Sequence, residues 1–89
     1  MNKIDSTLAE RSSTHGSFVE NAYDSQRLKK IVKRSTSYEN MSNVQREALD
    51  MIMHKISRIT CGNPHEPDHW LDIAGYATLV YKDLSNEAV

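Results

Sequence analysis

Apolar side chains return every three to four positions through Ser42 to Ile59, SNVQREALDMIMHKISRI. On a helix turning about 100° per residue, Ala48, Leu49, Ile52, Met53, Ile56 and Ile59 gather on one broad face. Glu47, Asp50, His54 and Arg58 gather on another, each a one-turn neighbour of the next. Ser42 and Gln45 stand at capping-box spacing, so the Ser hydroxyl can take the amide of Gln45 while the Gln reaches back to the cap. Gly62 is placed to stop the helix, which the pattern predicts to run to about Thr60.

Ser17 and Glu20 repeat the capping spacing, and Phe18, Ala22, Ser25, Leu28 and Val32 keep helical register behind them. This predicts a helix over 17–34, followed by a linker at 35–41. Both prolines lie in CGNPHEPD, and Pro67 or Asp68 starts the next helix, which extends to about Leu84. Its apolar positions Trp70, Ile73, Ala74, Ala77, Val80, Tyr81 and Leu84 predict the packed face, with Trp70 in the core and His69, Asp72 and Tyr76 at the edge. Ala74, Gly75 and Ala77 leave room for a close helix approach. The first residues offer one short turn at Ser6 to Arg11 and then the polar run Ser12-Ser13-Thr14-His15-Gly16. The expected organisation is a flexible segment over 1–15, a single helical domain over 16–85 and a tail over 86–89. No stretch alternates with period two, so the expected fold is all-α, a bundle of three main helices.

Length changes this picture in one respect: 89 residues are at the small end of what one core stabilises, so a homo-oligomer is expected. A net charge of −1 and a pI near 6.4 argue against nucleic acid as partner. The local cluster Arg27, Lys29, Lys30, Lys33 and Arg34 suits a solvated helix end. No run reaches the length of a membrane span, and the N-terminus lacks the apolar region of a signal peptide. Cys61 is the single cysteine and has no internal partner for a disulfide. These features predict a cytoplasmic protein that does not engage membranes.

The stripe of Glu47, Asp50, His54 and Arg58 is ordinarily a solvated face laced with ion pairs. Antiparallel packing of the second and third main helices would bring Glu47 and Asp50 near His69 and Asp72. Carboxylates at that spacing suit Mg²⁺, and the histidines favour Mn²⁺ or Zn²⁺. His15 stands before a helix start whose amides favour anions. Tyr76 is either a buried ring or a groove-lining donor. Cys61 has no evident base, His65 lies in the proline-containing loop, and neither a glycine-rich phosphate loop nor a nucleophile elbow is present.

The segments EALDMIMHKISRI and DHWLDIAGYATLV, with THGSF upstream, resemble a group of small phage and prophage proteins over about residues 10 to 84. More distantly, the paired acidic helices resemble the MazG-like all-α NTP pyrophosphohydrolases, in which an EExxE helix and an ExxD helix hold Mg²⁺ on a nucleoside triphosphate. That resemblance implies that Glu47, Asp50 and Asp72 ligate the metal, Mg²⁺ or Mn²⁺. It implies that His69 and Asp72 are the catalytic pair, His69 orienting a ligand or water. His15, Lys55, Arg58 and Tyr76 would then bind substrate. Arg46 stands in place of the first Glu of the EE pair and His69 in place of the Glu of ExxD, so carboxylates are fewer, and Lys55 and Arg58 would hold phosphate directly. Sites between subunits and a homo-oligomer also follow from the resemblance. The expected function is binding of a nucleotide or its phosphates through a divalent metal, any hydrolysis being of pyrophosphohydrolase type. The alternative is a non-enzymatic phage accessory protein that binds a host protein and modulates it.

Overall fold

The computed structural model describes residues 2–87, so Met1 and the Ala88–Val89 end of the expected tail lie outside the described residues. The chain is all-α, and among the described residues it forms four α-helices and one 3-10 turn: α1 (Lys3–His15), α2 (Phe18–Lys33), the turn at Tyr38–Asn40, α3 (Asn43–Cys61) and α4 (Pro67–Leu84). Its principal extents are 48 × 30 × 23 Å.

Local chemistry sets the helix ends where the spacing predicts them. Ser42 Oγ accepts the Gln45 amide at 3.2 Å and Gln45 Oε1 accepts the Ser42 amide at 2.8 Å, closing the capping box of α3. Ser17 caps α2, Gly62 ends α3, and Pro67 opens α4 behind the cap residue Glu66. Arg46, at the former EE position, donates to the carbonyls of Tyr38 and Glu39 and stacks 4.4 Å from the Tyr38 ring centroid. It fastens the linker turn to α3.

Residues 3–15, expected to be mostly loop, form a thirteen-residue helix. Asn2 caps it by accepting the Asp5 amide at 2.8 Å, and Gly16 terminates it at φ +80°, a conformation that glycine adopts at no steric cost. A Cβ on Gly16 would collide with the Cys61 carbonyl, and one on Gly62 would collide with the backbone of Thr14 and His15. The C-terminal ends of α1 and α3 therefore meet backbone to backbone, and the Asn63 amide donates to the Thr14 carbonyl at 2.9 Å.

Helix α3 is the centre of the bundle, packing against α4, α2 and α1. Lys55 and Ser57 sit two residues apart, hence ~200° apart around the helix, and both are buried. Lys55 meets Asp72 of α4 and Ser57 meets Asn21 of α2. Polar groups thus line both contacts, and Ala48 and Met53 are the buried apolar residues among those described.

Trp70 is a correction to the expected core. It is 55% exposed, its indole N–H donating to the Pro64 carbonyl at 2.9 Å. Ala74, Ala77, Tyr81 and Leu84 are exposed as well, whereas His69 is buried and Asp72, Ile73, Tyr76 and Val80 are partly so. Helix α4 has turned its edge residues inward and its most continuous apolar stripe outward. The buried polar contacts, Lys55 of α3 to Asp72 and His69 to the Thr14 carbonyl of α1, decide this orientation, because a buried Lys55 or His69 without a partner costs more than an exposed apolar side chain.

Candidate functional site

The glycine crossing brings three elements together at one end of the bundle: the end of α1, the last turns of α3 and the first turns of α4. His69 Nε2 donates to the Thr14 carbonyl at 3.1 Å, and its ring lies 5.3 Å from that of His15. Lys55 Nζ lies 2.8 Å from Asp72 Oδ2. The Lys55 hydrogen bond and charge hold the Asp72 carboxyl below its usual range, with Arg58 and His69 adding to the effect. Five residues singled out in the sequence, His15, Lys55, Arg58, His69 and Asp72, therefore share one neighbourhood.

Next to this cluster, α1, α2 and α3 enclose a cleft of about 690 Å³. Its ionisable lining groups are Arg11, His15, His54 and Arg58, with no carboxylate among them. Neither guanidinium has a protein acceptor among the described residues. Burial pushes the His15 pKa down, helped by the charges of Arg58, His69, Lys55 and Arg11. Burial also lowers that of His54, followed by the charges of Lys29 and Arg58, against a smaller opposite pull from Asp50. Lys29 Nζ donates to His54 Nε2 at 3.0 Å, which requires that nitrogen to be unprotonated. Burial first, and the positive charge around it second, disfavour the protonated form of both histidines.

Asn21 and Ser57 were not legible as site residues, yet they organise the cleft wall. Asn21 Nδ2 donates to the His15 carbonyl at 2.6 Å and to the Ser17 carbonyl at 2.8 Å, while its Oδ1 accepts from the Ser57 hydroxyl at 3.0 Å. One amide thus ties α1, α2 and α3. Ser25 is 3% exposed, lines the cleft, and its hydroxyl has no partner.

The metal reading requires a convergence of carboxylates, and the described residues contain no group of three His, Cys, Asp or Glu side chains able to hold a metal ion. Glu47 is exposed, Asp50 is half-buried one turn away, and the Asp72 carboxylate faces the Lys55 ammonium, which fills the place a cation would take. These residues do not fit Mg²⁺ or Mn²⁺ within one chain. Tyr76 is half-buried, one turn beyond Asp72, and is not part of the cleft wall. The Cys61 thiol donates to Asp24 Oδ2 at 3.1 Å, and burial followed by this hydrogen bond pushes its pKa up, away from thiolate chemistry.

Comparison with protein-family models, with curated proteins and with solved structures finds no match to the chain. No helix among the described residues is long and apolar enough to cross a membrane.

Proposed function

We propose that the protein binds a phosphate-bearing small molecule, a nucleotide or its phosphates, in the cleft between α1, α2 and α3. The observation that carries this reading is a lining with Arg11, Arg58, His15 and His54 and no carboxylate. Arginine presents a planar fork of donors matched to phosphate oxygens, and a cleft of one sign concentrates anions. Arg58 and His15 keep the substrate-binding roles expected of them. Lys55 acts behind the cleft, with Asp72 and His69, by holding the ends of α1 and α4 to α3. Phe18, 83% exposed at the rim, offers a ring face on which a nucleobase can stack. A divalent metal, Mg²⁺ or Mn²⁺, would arrive already held by the ligand's phosphates. With it goes a cytoplasmic location, where nucleotides are abundant and the single Cys61 needs no oxidising compartment.

Thermal unfolding in the presence of nucleoside mono-, di- and triphosphates, with Mg²⁺ and with a chelator, tests this. A ligand selective for the fold raises Tm by mass action. The expected result is a rise with at least one nucleotide that survives chelation and disappears in Arg58→Ala and Arg11→Ala. Absence of any rise, or a rise unchanged in both variants, would overturn the reading and favour the protein-binding alternative.

A further inference from the structure

The outward stripe of α4 consists of Trp70, Ala74, Ala77, Tyr81 and Leu84, spaced 4, 3, 4 and 3 residues apart. That is the alternation of a coiled-coil seam, large at the ends and small in the middle. Trp70 and Tyr81 are 55% and 64% exposed, and Leu71 and Leu84 more than half. No charged residue falls on the stripe.

We infer that this face is the contact between two copies of the chain, packed antiparallel about a two-fold axis passing beside Ala77. Three features select a second copy in that orientation. The size pattern is self-complementary only when reversed: Tyr81 of one copy falls on Ala74 of the other, Ala77 faces Ala77, and Trp70 meets Leu84. A parallel pair would stack Trp70 on Trp70 and Tyr81 on Tyr81, leaving a void between the alanines. The helix dipoles agree, since reversal opposes them and keeps Glu66 and Asp68 of the two copies at opposite ends of the contact. Finally, the indole N–H of Trp70 is already bonded to Pro64, so the ring can be covered without stranding a donor.

The surface left open supports the same conclusion. Two such faces together would cover on the order of 1,000 Å², at the lower bound of specific interfaces, and Ala48 and Met53 alone are too small a buried apolar set to hold 89 residues.

The test combines sedimentation with cysteine cross-linking. Wild type should sediment as a dimer, and Ala77→Glu, which buries two like charges at the axis, should sediment as a monomer with its helical circular dichroism retained. In a Cys61→Ser background, Ala77→Cys should form a disulfide-linked dimer on mild oxidation, and Leu79→Cys, on the flank of α4 away from the stripe, should not. A monomeric wild type overturns the proposal, whatever else then covers the stripe. A dimer that persists in Ala77→Glu, or equal cross-linking at 77 and 79, overturns it too. Should Ala77→Glu fail to fold, the cross-linking pair decides.

Discussion

Gly16 and Gly62 cross so closely that each occupies the space a side chain on the other would need. Nothing but hydrogen fits at either position, and Gly16 additionally stands at φ +80°. The crossing sets Thr14 within reach of His69 and the His15 ring beside it. Gly62→Ala and Gly16→Ala should each destabilise the protein by about 1–3 kcal/mol, read as a lower denaturant midpoint. Both should also weaken any ligand response, because His15 and Arg11 ride on the displaced helix.

The Asn21 side chain bridges three helices, and its loss should exceed that of either partner. Ser57→Ala removes a hydroxyl shared between Asn21 Oδ1 and the His54 carbonyl and should cost about 1 kcal/mol, whereas Asn21→Ala strands the His15 carbonyl, leaves the Ser57 hydroxyl only the His54 carbonyl, and should cost about 1–3 kcal/mol. Urea unfolding of both variants and of the double variant would show non-additivity if the two act as one unit.

Stability should fall on mild acidification. His15 and His54 titrate below 6.5 in the fold and near 6.5 in the unfolded chain. Between those values the unfolded chain binds more protons, so stability rises with pH through the window and is lost as pH falls below about 6.5. An anion in the cleft reverses the electrostatic part of the cause. The Tm rise produced by sulfate, whose charge is constant there, should therefore grow as pH falls while the Tm of the free protein drops. Parallel pH profiles with and without sulfate would contradict an anion site beside these histidines.

Asp72→Ala should lower Tm because it leaves the Lys55 ammonium buried without its partner. Replacing both, Lys55→Met with Asp72→Leu, should recover part of the loss. If Asp72 served as a metal ligand instead, its removal would abolish a Mg²⁺-dependent rise in wild-type Tm. The ion pair predicts a Tm indifferent to Mg²⁺ alone.

What was legible in the sequence was what is local. Ser42 with Gln45, Ser17, Gly62 and Pro67 mark helix ends through contacts within a few residues, and the structure places those ends within a residue or two of expectation. Helix α1 was not legible because Ile4 and Leu8 give it almost no apolar face, and its end is held by Gly62 and Asn63, far along the chain. The orientation of α4 was misread for a different reason. Periodicity locates an apolar face but does not say what covers it, and here the inward side carries His69 and Asp72. Acidic residues at one-turn spacing suggested a gathering of carboxylates, but the turn at Gly16 folds Arg11 and His15 back toward Arg58 and makes the cleft basic. That convergence depends on tertiary geometry and leaves no local pattern.

The tether of α1 also sets an order of events. Its attachments through Thr14 and Gly16 reach residues around 61–69, far along the chain, so they close only once α3 is in place, whereas the His15 carbonyl is held by nearby Asn21. On the return path α1 is the first piece to detach, since none of its own residues is buried. Amide exchange should accordingly be fastest in Lys3–His15 and slowest in the middle of α3. Each such detachment would swing away the wall carrying Arg11 and His15, so an anion held by that wall should slow amide exchange throughout Lys3–His15.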